Sequence, residues 1–186
     1  MYKKVFLLVF TLLFLTSCWD DDIDTISTSW LTNHDSTDFF IQIPSSWEII
    51  KDKENILPKP SSGEIELAVT SKDINAWFAN NLLILSTKLN SFTTSKDFSI
   101  LNNIWAEKDY INYKKLNSKN IVFADEEESI MYIFEAKYNT DTPKLKFIQT
   151  SHICDQNKAF FFTIALLPSV KDTSRYEDML RTFKCK

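Results

Sequence analysis

The chain has 186 residues, 44% apolar and 25% charged, with a formal net charge of −4; that suffices for one domain with a core and excludes disorder over most of its length. A single glycine excludes the glycine-rich loops that cradle phosphates and dinucleotides, which need several glycines for close backbone approach. The acidic balance, with no Lys/Arg cluster among aromatics to offset it, excludes nucleic acid as a partner.

Lys3 and Lys4 open the chain, and Val5 to Leu15 is apolar apart from Thr11. A positive start before a short apolar run is the layout of an export signal. The run is well short of the ~20 residues that a membrane-spanning helix needs. Leu15-Thr16-Ser17-Cys18 follows directly. These four residues resemble the bacterial lipobox, in which an aliphatic residue and two small ones precede a cysteine. The resemblance implies cleavage between Ser17 and Cys18, a diacylglycerol on the Cys18 sulfur and a fatty acyl chain, such as palmitate, on the new amino group. Two such chains suffice for stable anchoring, at about 0.8 kcal/mol per buried methylene. The expected address is therefore the cell envelope, on the outer face of the cytoplasmic membrane or in an outer membrane. The alternative is an ordinary cleaved signal that leaves Cys18 as a thiol.

Without residues 1–17 the charge balance is 19 against 25, or −6, so an anionic membrane surface does not attract the domain. Asp20, Asp21, Asp22 and Asp24 follow the cysteine. A calcium loop of the best-known kind would add a glycine and a distal glutamate, and neither follows. Residues 18–36 are read as the lipidated cysteine and a flexible acidic tether, and residues 37–186 as the globular domain.

"DFFIQIPSSWEII" reads as a strand, a proline break at Pro44 and a second strand start. "EIELAVTS" alternates, with Ile65, Leu67 and Val69 expected on one face. "NNLLILSTKL" is more continuously apolar, as in a strand covered on both sides. Thr94 and Asp97 match a capping box. Phe98, Leu101, Ile104, Trp105, Lys108 and Ile111 then recur at helical spacing, predicting a helix over 95–112 whose stripe faces the core. "NIVFADE", "SIMYIFEAKY", "KLKFIQTSHIC" and "AFFFTIALL" predict a four-strand meander. Ile130, Tyr132, Phe134 and Ala136 should share a face. Asp125–Glu128 and Asp155–Asn157 are read as hairpin turns. A second helix is predicted from Ser174, with a capping box to Glu177 and a stripe of Tyr176, Met179, Leu180 and Phe183.

This order of elements, with Phe40, Ile43, Pro44 and Trp47 at its start and Phe78-Ala79-Asn80-Asn81 in the middle, resembles the PsbP/Mog1/DcrB-like fold over residues 38–184. The resemblance implies an α/β fold of the α+β type. An antiparallel sheet of six to seven strands would pack with a central and a C-terminal helix. It implies an accessory or binding role rather than one type of enzyme.

With Cys18 assigned to lipid, Cys154 and Cys185 remain. In an exported protein an even pair favours a disulfide, with two separate thiols as the alternative. His152 shares a strand face with Cys154, which makes a Cys–His nucleophile pair conceivable. At about 7 Å between Cβ atoms the pair reads better as a histidine beside a disulfide. No close His/Cys spacing points to a metal site, and no cofactor is expected. Trp77, Phe78, Asn80 and Asn81 either line a ligand cleft or turn the chain. The function expected is a membrane-anchored, non-enzymatic accessory lipoprotein that binds a protein partner or part of the envelope. A small-molecule or metal-binding lipoprotein is the alternative, and a hydrolase using His152 the weakest.

Overall fold

Alternating apolar residues sort β7 (Glu128–Lys137) onto two cores, with Met131 and Ile133 on one side and Tyr132, Phe134 and Ala136 on the other. That two-sided pattern is what a central strand requires, and it organises the molecule. The computed structural model describes residues 30–51, 57, 60, 63–75, 77–155 and 157–186. The export signal, Cys18 and the tether up to residue 29 lie outside the described residues.

In chain order the elements are β1 (Leu31–Asp35), β2 (Phe39–Pro44), β3 (Trp47–Ile49), β4 (Glu64–Asn75), β5 (Phe78–Lys88), α1 (Ser95–Asp109), β6 (Ile111–Val122), β7, β8 (Leu145–Cys154), β9 (Lys158–Leu166), α2 (Ser174–Arg181) and β10 (Lys184–Cys185). A seven-stranded antiparallel sheet runs β3-β4-β5-β9-β8-β7-β6, and a smaller sheet runs β1-β2-β10. The α+β expectation of six to seven strands with a central and a C-terminal helix therefore holds. So does the meander from β6 to β9.

The small sheet and α2 cover one face of the large sheet. Phe39, Ile41, Phe160, Phe162, Tyr176, Met179, Leu180 and Phe183 are almost fully buried between them. Side chains of this kind each contribute about 1.5–3 kcal/mol on burial, so this layer carries most of the hydrophobic stabilisation. Phe183 sits at its centre, within 4.7–6.1 Å of the rings of Phe39, Phe123, Phe160 and Phe162. α1 covers part of the other face, over Tyr132, Phe134, Leu145 and Phe147.

Four readings are corrected. Residues 31–35, expected in the tether, form β1 along β2, with Leu31 opposite Pro44 and Asp35 opposite Phe40. The polar run 111–119, expected as helix as far as 112 and given no element beyond it, is the first three-quarters of β6. It is an edge strand exposed on both faces except at Tyr113, so it shows no alternation. Its register breaks and its lysines, Lys114, Lys115 and Lys119, guard an otherwise open edge. The helix stops at Asp109 because Tyr110 turns extended and packs edge-on against Phe134 and Phe147 at 5.6 and 5.0 Å. A bulge between Ile65 and Leu67 turns Ile65 to pair with Leu85, away from the face of Leu67 and Val69.

The single glycine, Gly63, has φ +79° just before β4, and a Cβ there would collide with the Ser86 carbonyl oxygen. Both the backbone angle and the close approach require glycine at that point.

Candidate functional site

Three features stand out from the fold: the outer face of α1, a cleft beside Trp30, and a cluster around the disulfide.

The N-terminus of α1 is built as its sequence requires. Thr94 accepts a hydrogen bond from the Asp97 amide at 3.0 Å and donates to the Asp97 carboxylate at 2.8 Å, which satisfies one of the orphan donors of the first turn. The side that faces the sheet is the surprise. Ser95, Ser99 and Ala106 are the buried residues. Ser95 accepts from the Ile153 amide at 2.9 Å, and Ser99 donates to the Ile130 carbonyl at 2.5 Å. Ser129 donates to the Ser95 carbonyl at 3.1 Å. Small hydroxyl side chains thus dock the helix directly on sheet backbone, with their polar atoms satisfied.

The expected core stripe therefore faces outward. Leu101, Ile104 and Trp105 are 41%, 42% and 51% exposed, and Phe92 just before the helix is 76% exposed. A single exposed apolar residue needs no explanation, but an apolar stripe at helical spacing turned to solvent does. Helical periodicity identified the helix correctly and its inner side wrongly. The signal that could have placed it is the serine at every fourth position, Ser95 and Ser99, in line with Ala106.

The sheet beside α1 is also less covered. Registers carry the α1 side from Tyr132 through Gln149 and Thr163 to Leu83, and from Ser151 through Phe161 to Leu85. Leu83, Leu85 and Phe161 are half-buried there.

On the opposite layer, Trp30, Trp47, Phe78, Asn80, Arg175 and Tyr176 line a cleft of about 290 Å³. The Arg175 guanidinium lies 4.7 Å from the Tyr176 ring and 5.9 Å from the Trp30 ring, and donates to the Tyr176 hydroxyl at 2.6 Å. Of the four residues considered for a cleft, Phe78 and Asn80 line it. Trp77 is fully exposed in a turn with φ 64°, and Asn81 donates to the Ala79 carbonyl at 3.0 Å. Asn80 is structural as well, accepting from the Leu167 amide at 3.1 Å.

Cys154 and Cys185 form a disulfide with Cα atoms 5.8 Å apart, tying the end of β8 to β10 beyond α2. His152 is buried beside it, its Nδ1 lying 3.4 Å from Cys185 Sγ and 3.8 Å from Cys154 Sγ. Its Nε2 meets Asp125 Oδ1 at 3.0 Å, while Asp125 Oδ2 accepts from the Cys185 amide at 2.9 Å. The rings of Phe123 and Phe183 flank the imidazole at 4.7 and 5.0 Å. Burial pushes the Asp125 carboxyl up. Hydrogen bonds from His152 and from the Cys185 and Glu127 amides outweigh that and hold it below its ordinary value.

Asp125 thus does more than solvate a turn. Spacing along the chain hid this cluster, because Asp125 and Cys185 are distant in sequence from His152. Side chains from the same strand face also converge more closely at their tips than their Cβ separation implies.

Among the described residues no helix is long and apolar enough to cross a membrane. No protein-family model matches the chain, and no curated protein matches it. The chain is similar to the solution structure of cyanobacterial PsbP (CyanoP) from Synechocystis sp. PCC 6803, at TM-score 0.57 and 13% identity, over 87% of this chain and 96% of that one. It also matches a crystal structure of a protein of unknown function, PA94 from Pseudomonas aeruginosa, at TM-score 0.49 and 12% identity, over 80% and 89% of the two chains. The first likeness establishes a PsbP-like fold.

Proposed function

We propose that this chain is a membrane-anchored accessory lipoprotein whose domain binds an envelope protein through the outer face of α1. One observation carries the reading: α1 buries serines and alanine and turns Leu101, Ile104 and Trp105 to solvent. Three large residues at i, i+3 and i+4 are the anchors by which a helix fills an apolar groove on a partner. The position of the first described residue agrees with this. Trp30, where the described chain begins, packs on the core of the α2 layer, whereas α1 lies on the other face of the sheet. A lipid on Cys18 would hold the domain from one side and leave α1 free on the other.

At the His152 cluster both sulfurs are joined to each other, which counts against a Cys–His nucleophile pair in the disulfide form. A small-molecule ligand is the second reading, favoured by Arg175 between two aromatic rings in the cleft. Such a ligand would be small, since the cleft of about 290 Å³ lies just below the 300–1,000 Å³ typical of ligand pockets, and it would face both Arg175 and Asp73.

Crosslinking in the native cell followed by mass spectrometry tests the first reading. One protein should be recovered with the wild-type chain and lost with Leu101→Ser/Trp105→Ser. Recovery of the same protein with both chains would sink the α1 interface, and recovery of none would shift weight to the cleft. Anchoring is tested separately: Cys18→Ser should release the domain from membranes, and its retention there would count against lipidation.

A further inference from the structure

We propose that the Asp125–His152–Cys154–Cys185 cluster is a redox-gated metal site. The dithiol form would hold a thiophilic divalent cation such as Zn²⁺, and the disulfide form would hold none. The observation is the position of the imidazole. A disulfide needs no histidine, yet the Nδ1 of buried His152 lies 3.4 and 3.8 Å from the two sulfurs. With zinc–sulfur bonds of about 2.3 Å and zinc–nitrogen bonds of about 2.0–2.1 Å, a sulfur and a nitrogen on one tetrahedral ion sit about 3.6 Å apart. The two observed distances bracket that value. The ligand atoms of His152, Cys154 and Cys185 all fall within 4.8 Å of one another.

The surroundings fit a ligand rather than a packing residue. Asp125 accepts from Nε2 at 3.0 Å, which places the ring proton there and leaves Nδ1 as the open ligand atom on the side of the sulfurs, with the Cys185 sulfur beside the ring at 4.0 Å from Nε2. That is the carboxylate–histidine arrangement that orients metal-bound imidazoles. The same carboxylate holds the Cys185 amide, and Cys185 pairs with Phe39 in the small sheet. These contacts keep the Cys185 backbone in place when the S–S bond opens, and β8 keeps that of Cys154; the two sulfurs then swing apart to the roughly 3.8 Å that two sulfurs on one tetrahedral ion need. A divalent ion between two thiolates and a neutral imidazole adds no net charge to a site walled by Phe123 and Phe183. Cys185 is partly exposed, which gives solvent access to a fourth coordination position.

The exchange balances. An external dithiol gives two electrons and two protons to the Cys154–Cys185 bond and is itself oxidised to a disulfide. Zn²⁺ then displaces the two thiol protons. The arrangement excludes holding the ion and the disulfide at once.

Cobalt(II) tests this on the full chain carrying Cys18→Ser, so that Cys154 and Cys185 are the only thiols. After reduction and removal of the reductant, one equivalent of Co²⁺ should give the intense visible bands of a tetrahedral ion and a sulfur-to-cobalt charge-transfer band. Zn²⁺ should bleach both. The oxidised chain should give neither. His152→Ala should weaken binding by about tenfold or more and lose the tetrahedral bands, and Asp125→Asn by about tenfold with the bands kept. Absence of the bands in the reduced chain would overturn the proposal, as would bands of equal strength in His152→Ala. Circular dichroism covers the case in which reduction unfolds the domain. Co²⁺ must then restore the fold, and a chain that stays unfolded with cobalt present also overturns the proposal.

Discussion

The two faces of the seven-stranded sheet are covered in opposite ways. On one face, α2 and the three-stranded sheet bury an almost wholly apolar layer, with Phe183 enclosed by four phenylalanine rings and the disulfide closing its edge. On the other, α1 docks through Ser95, Ser99 and Ala106, packs Ile100 against the core there, and keeps Leu101, Ile104 and Trp105 outside. Buried Gln149 and Ser151 lie in the registers that run from under α1 to Leu83, Phe161 and Leu85. The contrast separates two demands on one sequence. The α2 face supplies the stability, and the α1 face is held by directional hydrogen bonds that place a helix without consuming its apolar stripe.

Hollowing the α2 face should have the largest effect. Phe183→Ala should cost about 3–5 kcal/mol in urea unfolding, because its ring is fully enclosed and its site cannot collapse easily. A loss below 1 kcal/mol would remove the claim that stability concentrates there. Next in size is the staple. Cys154→Ser/Cys185→Ser should cost roughly 3–4 kcal/mol, from the loop of 31 residues that the bridge closes in the unfolded chain. Unchanged urea midpoints would mean that β10 is held without it.

The α1 face should respond to crowding rather than to cavities. Ser99→Leu places a branched side chain where a hydroxyl meets the Ile130 carbonyl, so it should cost about 1–3 kcal/mol and lift the helix. Hydrogen exchange of the α1 amides would report the lifting, and a neutral result would mean that α1 packs less closely than its hydrogen bonds require.

The smallest of these effects is electrostatic. Asp125 is held below its ordinary value of 3.8 when folded. The carboxylate thus contributes stability that is complete above the ordinary value and lost as pH falls through the lowered one. Asp125→Asn should flatten stability against pH below about pH 4, measured by chemical unfolding at a series of acid pH values. An unchanged acid slope would mean that other carboxylates set it.

Much of the fold was legible because the strands that matter are patterned. Tyr132, Phe134 and Ala136 alternate with Met131 and Ile133, and the turns at 125–128 and 155–157 carry turn residues. β6 was illegible over 111–119 because an edge strand wet on both faces has no reason to alternate. The sense of α1 was illegible for a different reason. Periodicity reports that one side of a helix is apolar, and the usual inference that this side is buried fails when hydroxyl-to-backbone bonds hold the other. At the disulfide, cysteine parity paired Cys154 with Cys185, but no local pattern could bring Asp125 across a hairpin to His152.

On the proposed reading, the outer face of α1 serves a partner and not the fold. A photo-crosslinking residue at position 105 in the living cell tests it most directly, with a second at exposed Asn117 on β6 as control. The expected result is one discrete protein adduct from position 105 and none from 117, in a chain whose urea midpoint stays within about 0.5 kcal/mol of wild type. A chain that unfolds on substitution at 105, or that gives the same adducts from both positions, would contradict it.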